Sequence, residues 1–327
     1  MHLVFRCDAN AHIGFGHVSR CLSLAAEALR RAHQVSFISL SPLSQMLQLD
    51  PRIRCYHAAT EAELSQQLTQ LSVDCLLLDG YHLSAVDLAL YQGLSRYTVL
   101  LDDVQQACPL AVDWVLSPAG GRNLAYYQQH YPQAQWLCGY DYALVNQHFL
   151  GAQVAYQQRR LSLVSFGGSD VKKLTLPVVD YLCQQGLSDV HVVVTDAMGA
   201  LVDELGNYSV SIHQNLSPFD MAKLMGQAKM AVVAAGSTLF ELACCGVPSV
   251  ICQVADNQTN AVNDFTRDAG FIGLDCRQNF SLEKLAVAWQ TINQQDLLTL
   301  HQQAKMMVDG QGGRRVIQAI EQGDGEC

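Results

Sequence analysis

The residues best placed by type and spacing to do chemistry lie in Ala11-His12-Ile13-Gly14-Phe15-Gly16-His17-Val18-Ser19-Arg20. An apolar run, Leu3-Val4-Phe5, precedes this stretch, and Cys21 to Arg30 follows it with apolar residues at helical spacing. The order is strand, tight loop, helix. Gly14 and Gly16 let the backbone turn sharply and let a substrate approach closely. His17 falls in the first helical turn, at the positive end of the helix dipole. That position disfavours imidazolium and leaves a neutral ring as a candidate general base near pH 7. A solvated or capping histidine is the ordinary alternative. A nicotinamide site fits poorly. Ser19 stands where a third small residue is wanted, and the second strand, Gln34 to Ser39, runs into Leu40-Ser41-Pro42 without a carboxylate.

Two later loops could hold an anion. In Phe166-Gly167-Gly168-Ser169-Asp170 the glycines can present backbone N–H groups. In Ala235-Gly236-Ser237-Thr238-Leu239-Phe240-Glu241 a loop opens a helix, whose free N–H groups and dipole favour a diphosphate. Neither is a Walker A motif, because the Gly-Lys-Ser/Thr ending is absent. Glu241 has two readings. It either closes a capping box with Thr238 or accepts hydrogen bonds from two ribose hydroxyls. Asp256 fits a plain N-cap, with Asn257 and Gln258 beside it at a site edge. Asp79, Asp102 and Asp103 fall at strand ends, where parallel sheets place their ligands. They are candidates for Mg²⁺, or else structural aspartates.

The elements that must carry these residues alternate regularly. Strands are expected at 34–39, 52–57, 75–79 and 98–102, with a polar helix over 60–71 and another through Val86 and Leu90. The run Cys75-Leu76-Leu77-Leu78 has the continuous apolar character of a strand buried on both faces. Residues 120 to 158, rich in Tyr and Gln, break the rhythm and read as a domain end plus linker. Strands resume at 161–166, 190–194, 230–234 and 249–252, and a Gln-rich helix over 281–308 reads as a solvated outer layer. The pattern predicts an α/β chain of two Rossmann-like domains, 1–150 and 151–327, with parallel sheets facing across a ligand cleft.

Composition narrows the function classes. The chain has 327 residues, half of them hydrophobic, which suffices for two core-bearing domains. A net charge of −10 argues against nucleic acid or an anionic membrane as partner. Twelve cysteines without a Cys-x-x-Cys pair suit buried thiols in a reducing cytoplasm. The N-terminus lacks the apolar core of a signal peptide. The most apolar region, 231–255, is broken by Ser237, Thr238, Glu241 and Pro248, so a soluble, cytoplasmic protein is expected.

Taken together, the motifs resemble one family. Arg6-Cys7-Asp8 with Ile13 to Arg20 is similar to the opening of the UDP-sugar hydrolases of pseudaminic acid biosynthesis, which remove UDP from UDP-2,4-diacetamido-2,4,6-trideoxy-β-L-altrose. Leu78-Asp79-Gly80-Tyr81, Leu101-Asp102-Asp103, Gly139 to Leu144, Phe166 to Asp170, Ala235 to Glu241 and Asp256-Asn257-Gln258 match further family blocks, in order, to about residue 270. The resemblance implies a GT-B architecture without cofactor or metal. It implies His17 as the base that activates water, and Gly14, Gly16, Tyr81, Lys173, Asn257 and Gln258 about the sugar. Gly167, Gly168, Ser237, Thr238 and Glu241 would meet the nucleotide. Lys173 departs from the Asn that family members often carry, and Gly120 to His130 matches no block.

The expected activity is therefore inverting, metal-independent cleavage of a UDP-sugar at the anomeric carbon. Its partner would be the UDP-sugar alone, with no nucleic acid and no stable membrane association. A GT-B glycosyltransferase using a UDP-sugar donor, or a non-catalytic sugar-nucleotide-binding protein, are the alternatives.

Overall fold

In the computed structural model the described residues are 1–9, 15–47, 49–105, 110–118, 124–151 and 154–325. The first sheet holds seven strands: β1 (His2–Arg6), β2 (Gln34–Ser39), β3 (Ile53–His57), β4 (Cys75–Asp79), β5 (Tyr97–Leu101), β6 (Trp114–Ser117) and β7 (Gln135–Cys138). Their order is β3-β2-β1-β4-β5-β6-β7, and every pairing is parallel. The second sheet holds β8 (Leu161–Ser165), β9 (Val190–Val194), β10 (Ser211–Gln214), β11 (Ala228–Ala234), β12 (Ser249–Gln253) and β13 (Ile272–Asp275). Its order, β10-β9-β8-β11-β12-β13, repeats the doubly wound plan, again all parallel. In such sheets the strand order reverses at one point, between β1 and β4 in the first and between β8 and β11 in the second. Ligands bind above the carboxyl ends there.

Side-chain alternation explains the layers. On the first sheet Leu3, Phe5, Cys75, Leu77, Val99 and Leu101 face one core, packed against Leu24, Ala25 and Ala28 of the helix Gly16–Arg30. Val4, Leu76, Leu78 and Leu100 face the other, against Leu64, Leu68, Leu88 and Tyr91. Both faces are dry, so the strands read as unbroken apolar runs. In the second sheet Val164, Val192, Val232 and Val250 meet Val178, Leu182, Leu285 and Ile292.

The chain divides into two compact units, Met1–Leu144 with Gln311–Cys327, and Val145–Gly310. This corrects the boundaries 1–150 and 151–327, because the C-terminal helix Gly312–Gly325 returns to the first unit. Val316, Ile317 and Ile320 bury fully in the core beside Leu24 and Ala28, each worth roughly 1.5–3 kcal/mol. Arg31 and His33 both pair with Glu321, the latter at 2.8 Å. Gly312 permits the helix start, since a Cβ there would lie 2.3 Å from the Ala143 carbonyl oxygen.

The segment read as a linker holds the helix Leu124–His130 and strand β7, and follows the unforeseen β6. The Gln-rich helix is two helices, Leu282–Asn293 and Leu297–Met307. They are no purely solvated layer, because Leu285, Trp289, Ile292 and Leu300 are buried.

Candidate active site

The helix Gly16–Arg30 begins after β1 with Phe15 as N-cap and no capping side chain. Residues three and four apart share a helix face, so His17, Arg20 and Cys21 project together toward the end of β4. Asp79, the last residue of β4, is fully buried there. His17 Nδ1 lies 2.6 Å from Asp79 Oδ1. Two lone pairs at that separation would repel, so Nδ1 carries the proton and donates it, and the basic lone pair is on Nε2. Nε2 has no protein partner among the described residues, while the side chain keeps 12% exposure.

Arg20 grips the same carboxylate. Its Nε donates to Asp79 Oδ2 at 2.7 Å and its Nη2 to Oδ1, while Nη1 reaches Asp103 Oδ2 at 2.8 Å. The Cys21 thiol donates to Asp79 Oδ2 at 3.3 Å. Burial alone would raise the Asp79 carboxyl, but Arg20 and His17 outweigh it and hold it well below the ordinary carboxylate range. Tyr81 stands edge-on to the His17 ring, centroids 4.6 Å apart, with its hydroxyl 3.3 Å from Arg20 Nη1. Burial pushes its phenol upward, so it stays a neutral donor. The β1–β4 reversal point thus carries a histidine oriented by an aspartate, with an aromatic wall.

Of the other predicted residues in this unit, Gly16 opens the helix with nothing within 4 Å of where a Cβ would stand. Gly14 lies outside the described residues. The strand-end aspartates are taken by protein donors. Asp102 accepts from the Val104 amide at 2.8 Å and the Tyr127 hydroxyl at 3.1 Å, and Asp103 from Arg20 and from Ser117 Oγ at 3.2 Å. Among the described residues no three His, Cys, Asp or Glu side chains converge to hold a metal. Arg6 and Asp8 are likewise structural. Asp8 accepts from Ser39 and the Leu40 amide, Arg6 pairs with Glu61 and Asp8, and His82 Nε2 lies 2.9 Å from Asp8.

The second unit repeats the plan at the β8–β11 reversal point. Gly167 adopts φ +76° after β8 and Gly168 is exposed. Asp170 accepts from the Leu174 and Thr175 amides, both at 2.8 Å, and so caps the helix Thr175–Gln184. Lys173 is exposed at φ +52°, a left-handed conformation that Asn or Gly adopts more easily than Lys.

After β11, Ser237 is the N-cap of the helix Thr238–Cys245, again without a capping side-chain bond. The capping box, one of the two readings of Thr238 and Glu241, is absent, because the helix begins one residue earlier than that motif needs. Glu241 is half-buried without a hydrogen-bond partner among the described residues, and burial pushes its carboxyl up to about 7. Nor is Asp256 an N-cap. It pairs with Arg277 at 2.7 Å, while Gln258 Oε1 accepts from the Val254 amide at 2.8 Å. Asn257 between them is exposed.

Sequence reasoning missed the part played by Arg20, whose spacing from His17 was the only available signal, and the Ser117 and Tyr127 hydroxyls, which carried none.

No family model matches the chain. A UDP-2,4-diacetamido-2,4,6-trideoxy-β-L-altropyranose hydrolase of Campylobacter jejuni is 25% identical over 74% of this chain and 87% of its own length. Spore coat polysaccharide biosynthesis protein SpsG of Bacillus subtilis is 24% identical over 98% of both chains. Among solved structures, Acinetobacter baumannii MurG superposes with a TM-score of 0.69 at 16% identity, covering 98% of this chain and 99% of that one. Anabaena HepE, solved with UDP and glucose, gives 0.63 at 12% identity over 98% and 100%. The fold is GT-B, and over most of its length the chain resembles the UDP-diacetamido-trideoxy-altropyranose hydrolases.

Proposed function

We propose that this protein hydrolyses a UDP-sugar, UDP-2,4-diacetamido-2,4,6-trideoxy-β-L-altrose by its relatives' names, to the free sugar and UDP in pseudaminic acid biosynthesis. The observation that carries the proposal is the Asp79–His17 pair, which leaves Nε2 without a protein partner among the described residues at the β1–β4 reversal point. His17 Nε2 takes a proton from water as the water oxygen bonds to the anomeric carbon and the bond from that carbon to the phosphate oxygen breaks. Attack opposite the leaving group inverts the configuration. Asp79 stabilises the imidazolium that forms, and the proton then passes to solvent. Tyr81 and Gly16 are assigned to the sugar's side, as is Gly14 by resemblance alone.

The nucleotide is assigned to the second unit, with the diphosphate at the Ser237–Thr238 helix start, Gly167 and Gly168 beside it, and the ribose hydroxyls donating to Glu241. Uncapped N–H groups and an unpartnered carboxyl are what such a ligand needs. Asn257, Gln258 and Lys173 complete the substrate contacts. Stabilisation of the leaving diphosphate by the helix N-terminus makes a metal unnecessary in this scheme.

The test is turnover in H₂¹⁸O with chelator present. We expect ¹⁸O in the free sugar and none in UDP. Label in UDP, or activity abolished by chelator, would overturn the scheme. Because the similar solved structures include glycosyltransferases, a transferase is the second reading. Free sugar released with no acceptor present excludes it.

A further inference from the structure

The oriented histidine carries a feature that base catalysis alone does not require. A bare carboxylate on Nδ1 would pull strongly on the imidazole proton and favour imidazolium, which is no longer a base. Here the carboxylate is not bare. Asp79 accepts from both Arg20 Nε, at 2.7 Å, and Arg20 Nη2, as well as from Cys21 Sγ and His17 itself. The guanidinium also stands 3.1 Å from His17 Nδ1, where a second positive charge on the ring would meet like charge. Arg20 in turn is tethered by Asp103 at 2.8 Å, and Asp103 by the Ser117 hydroxyl at 3.2 Å. The side chains of Arg20 and Asp103 are only 14% and 10% exposed, so solvent screens this set weakly.

We propose that Arg20 is a positioning residue that acts through Asp79: it neutralises the carboxylate orienting His17 and so weakens the pull of that carboxylate on the ring proton. Asp103 opposes it by drawing part of the guanidinium charge away. Among the described residues, the charged or titratable groups about the ring are Asp79 at the end of β4, Tyr81 just beyond it, Arg20 and Cys21 on the same helix, Asp103 after β5 and Cys7 after β1. Among the described residues, Arg20 is the one cation that touches both the ring and its carboxylate. The inference rests on the proposed role of His17 for its consequence in catalysis, but not for its electrostatics.

The test separates the two. His17 is titrated by NMR in the full-length protein without substrate, in wild type, Arg20→Gln, Arg20→Lys and Asp103→Asn. With Arg20→Gln the midpoint should rise by about one pH unit or more, tenfold in proton affinity. Asp103→Asn should lower it, and Arg20→Lys should stay near wild type. A merely structural role would not move the two variants in opposite directions. A midpoint unchanged or lowered in Arg20→Gln overturns the inference. Should that variant fail to fold, the fall expected with Asp103→Asn decides, and its absence is equally fatal. The acid limb of kcat/KM should move with the NMR midpoint. If the midpoint moves and the limb does not, His17 is not the base: the proposed reaction scheme fails while the electrostatic inference stands.

Discussion

Asp79→Asn, alone and combined with His17→Asn, tests the candidate site most directly. Asp79 is fully buried and receives four donors. An amide of the same shape removes the charge but leaves an oxygen for Arg20, which keeps Asp103 as a partner. Breaking a buried pair costs about 3–5 kcal/mol, and the surviving contacts put this loss near the lower end. The catalytic loss has another origin. The amide can turn its NH₂ toward Nδ1, which then becomes an acceptor and places the ring proton on Nε2, where the base is needed. Turnover should fall roughly 10²–10⁴-fold, the share of a general base.

His17→Asn should lose about as much, and the double variant no more than either single, because the two residues act as one unit. UDP release at saturating substrate measures all three, and urea unfolding monitors stability alongside. Losses that multiply in the double variant would refute the dyad. There is also a signature in pH. The Asp79 carboxyl is held below its ordinary value, so its stabilising effect is full above the unfolded value of about 3.9 and is lost as pH falls toward the folded one. Wild type should therefore lose stability on acidification more steeply than Asp79→Asn.

Glu241→Gln should weaken UDP binding by about 1–3 kcal/mol, the range for hydrogen bonds to a charged group, without loss of unliganded stability, since Glu241 caps nothing. Its folded carboxyl, near 7, lies above the unfolded one, so the stability tied to its protonated form is present in acid and lost as pH rises through 7. Calorimetry at pH 8 should accordingly find the unliganded Gln variant more stable than wild type, and equal melting temperatures there would contradict the assignment. Lys173→Gly relieves a left-handed backbone and should raise stability by about 1 kcal/mol. An unchanged KM in that variant would remove Lys173 from the proposed substrate contacts. Gly312→Ala should destabilise the first unit severely, because the added Cβ meets backbone at 2.3 Å. A variant with wild-type melting would mean that the C-terminal helix is not packed as described.

How much of this was legible in sequence depends on the range of the interaction involved. Strands β1, β2, β4, β8, β9 and β12 announced themselves, since apolar runs, glycine turns and helical spacing act within about a dozen residues. The place of His17 at a helix start was local too, as were the two second-unit loops. Strands β6, β7, β10 and β13 were not legible, because each is only four residues long. The return of the C-terminal helix to the first unit was equally hidden, for an amphipathic face does not say which core it covers.

The site itself was decided only by tertiary structure. Nothing in the spacing of residue 17 names residue 79 as its partner. The parallel register that sets Arg6 beside Leu78 carries the chain from β1 and the end of β4 to one point. Burial then settles the chemistry. It makes three strand-end carboxylates acceptors for Arg20, Tyr127 and Ser117, and leaves the Glu241 carboxyl without a partner among the described residues. Residue type and local spacing determined which groups could react. The long-range pairing of strands determined which of them meet, and hence which proton His17 can move.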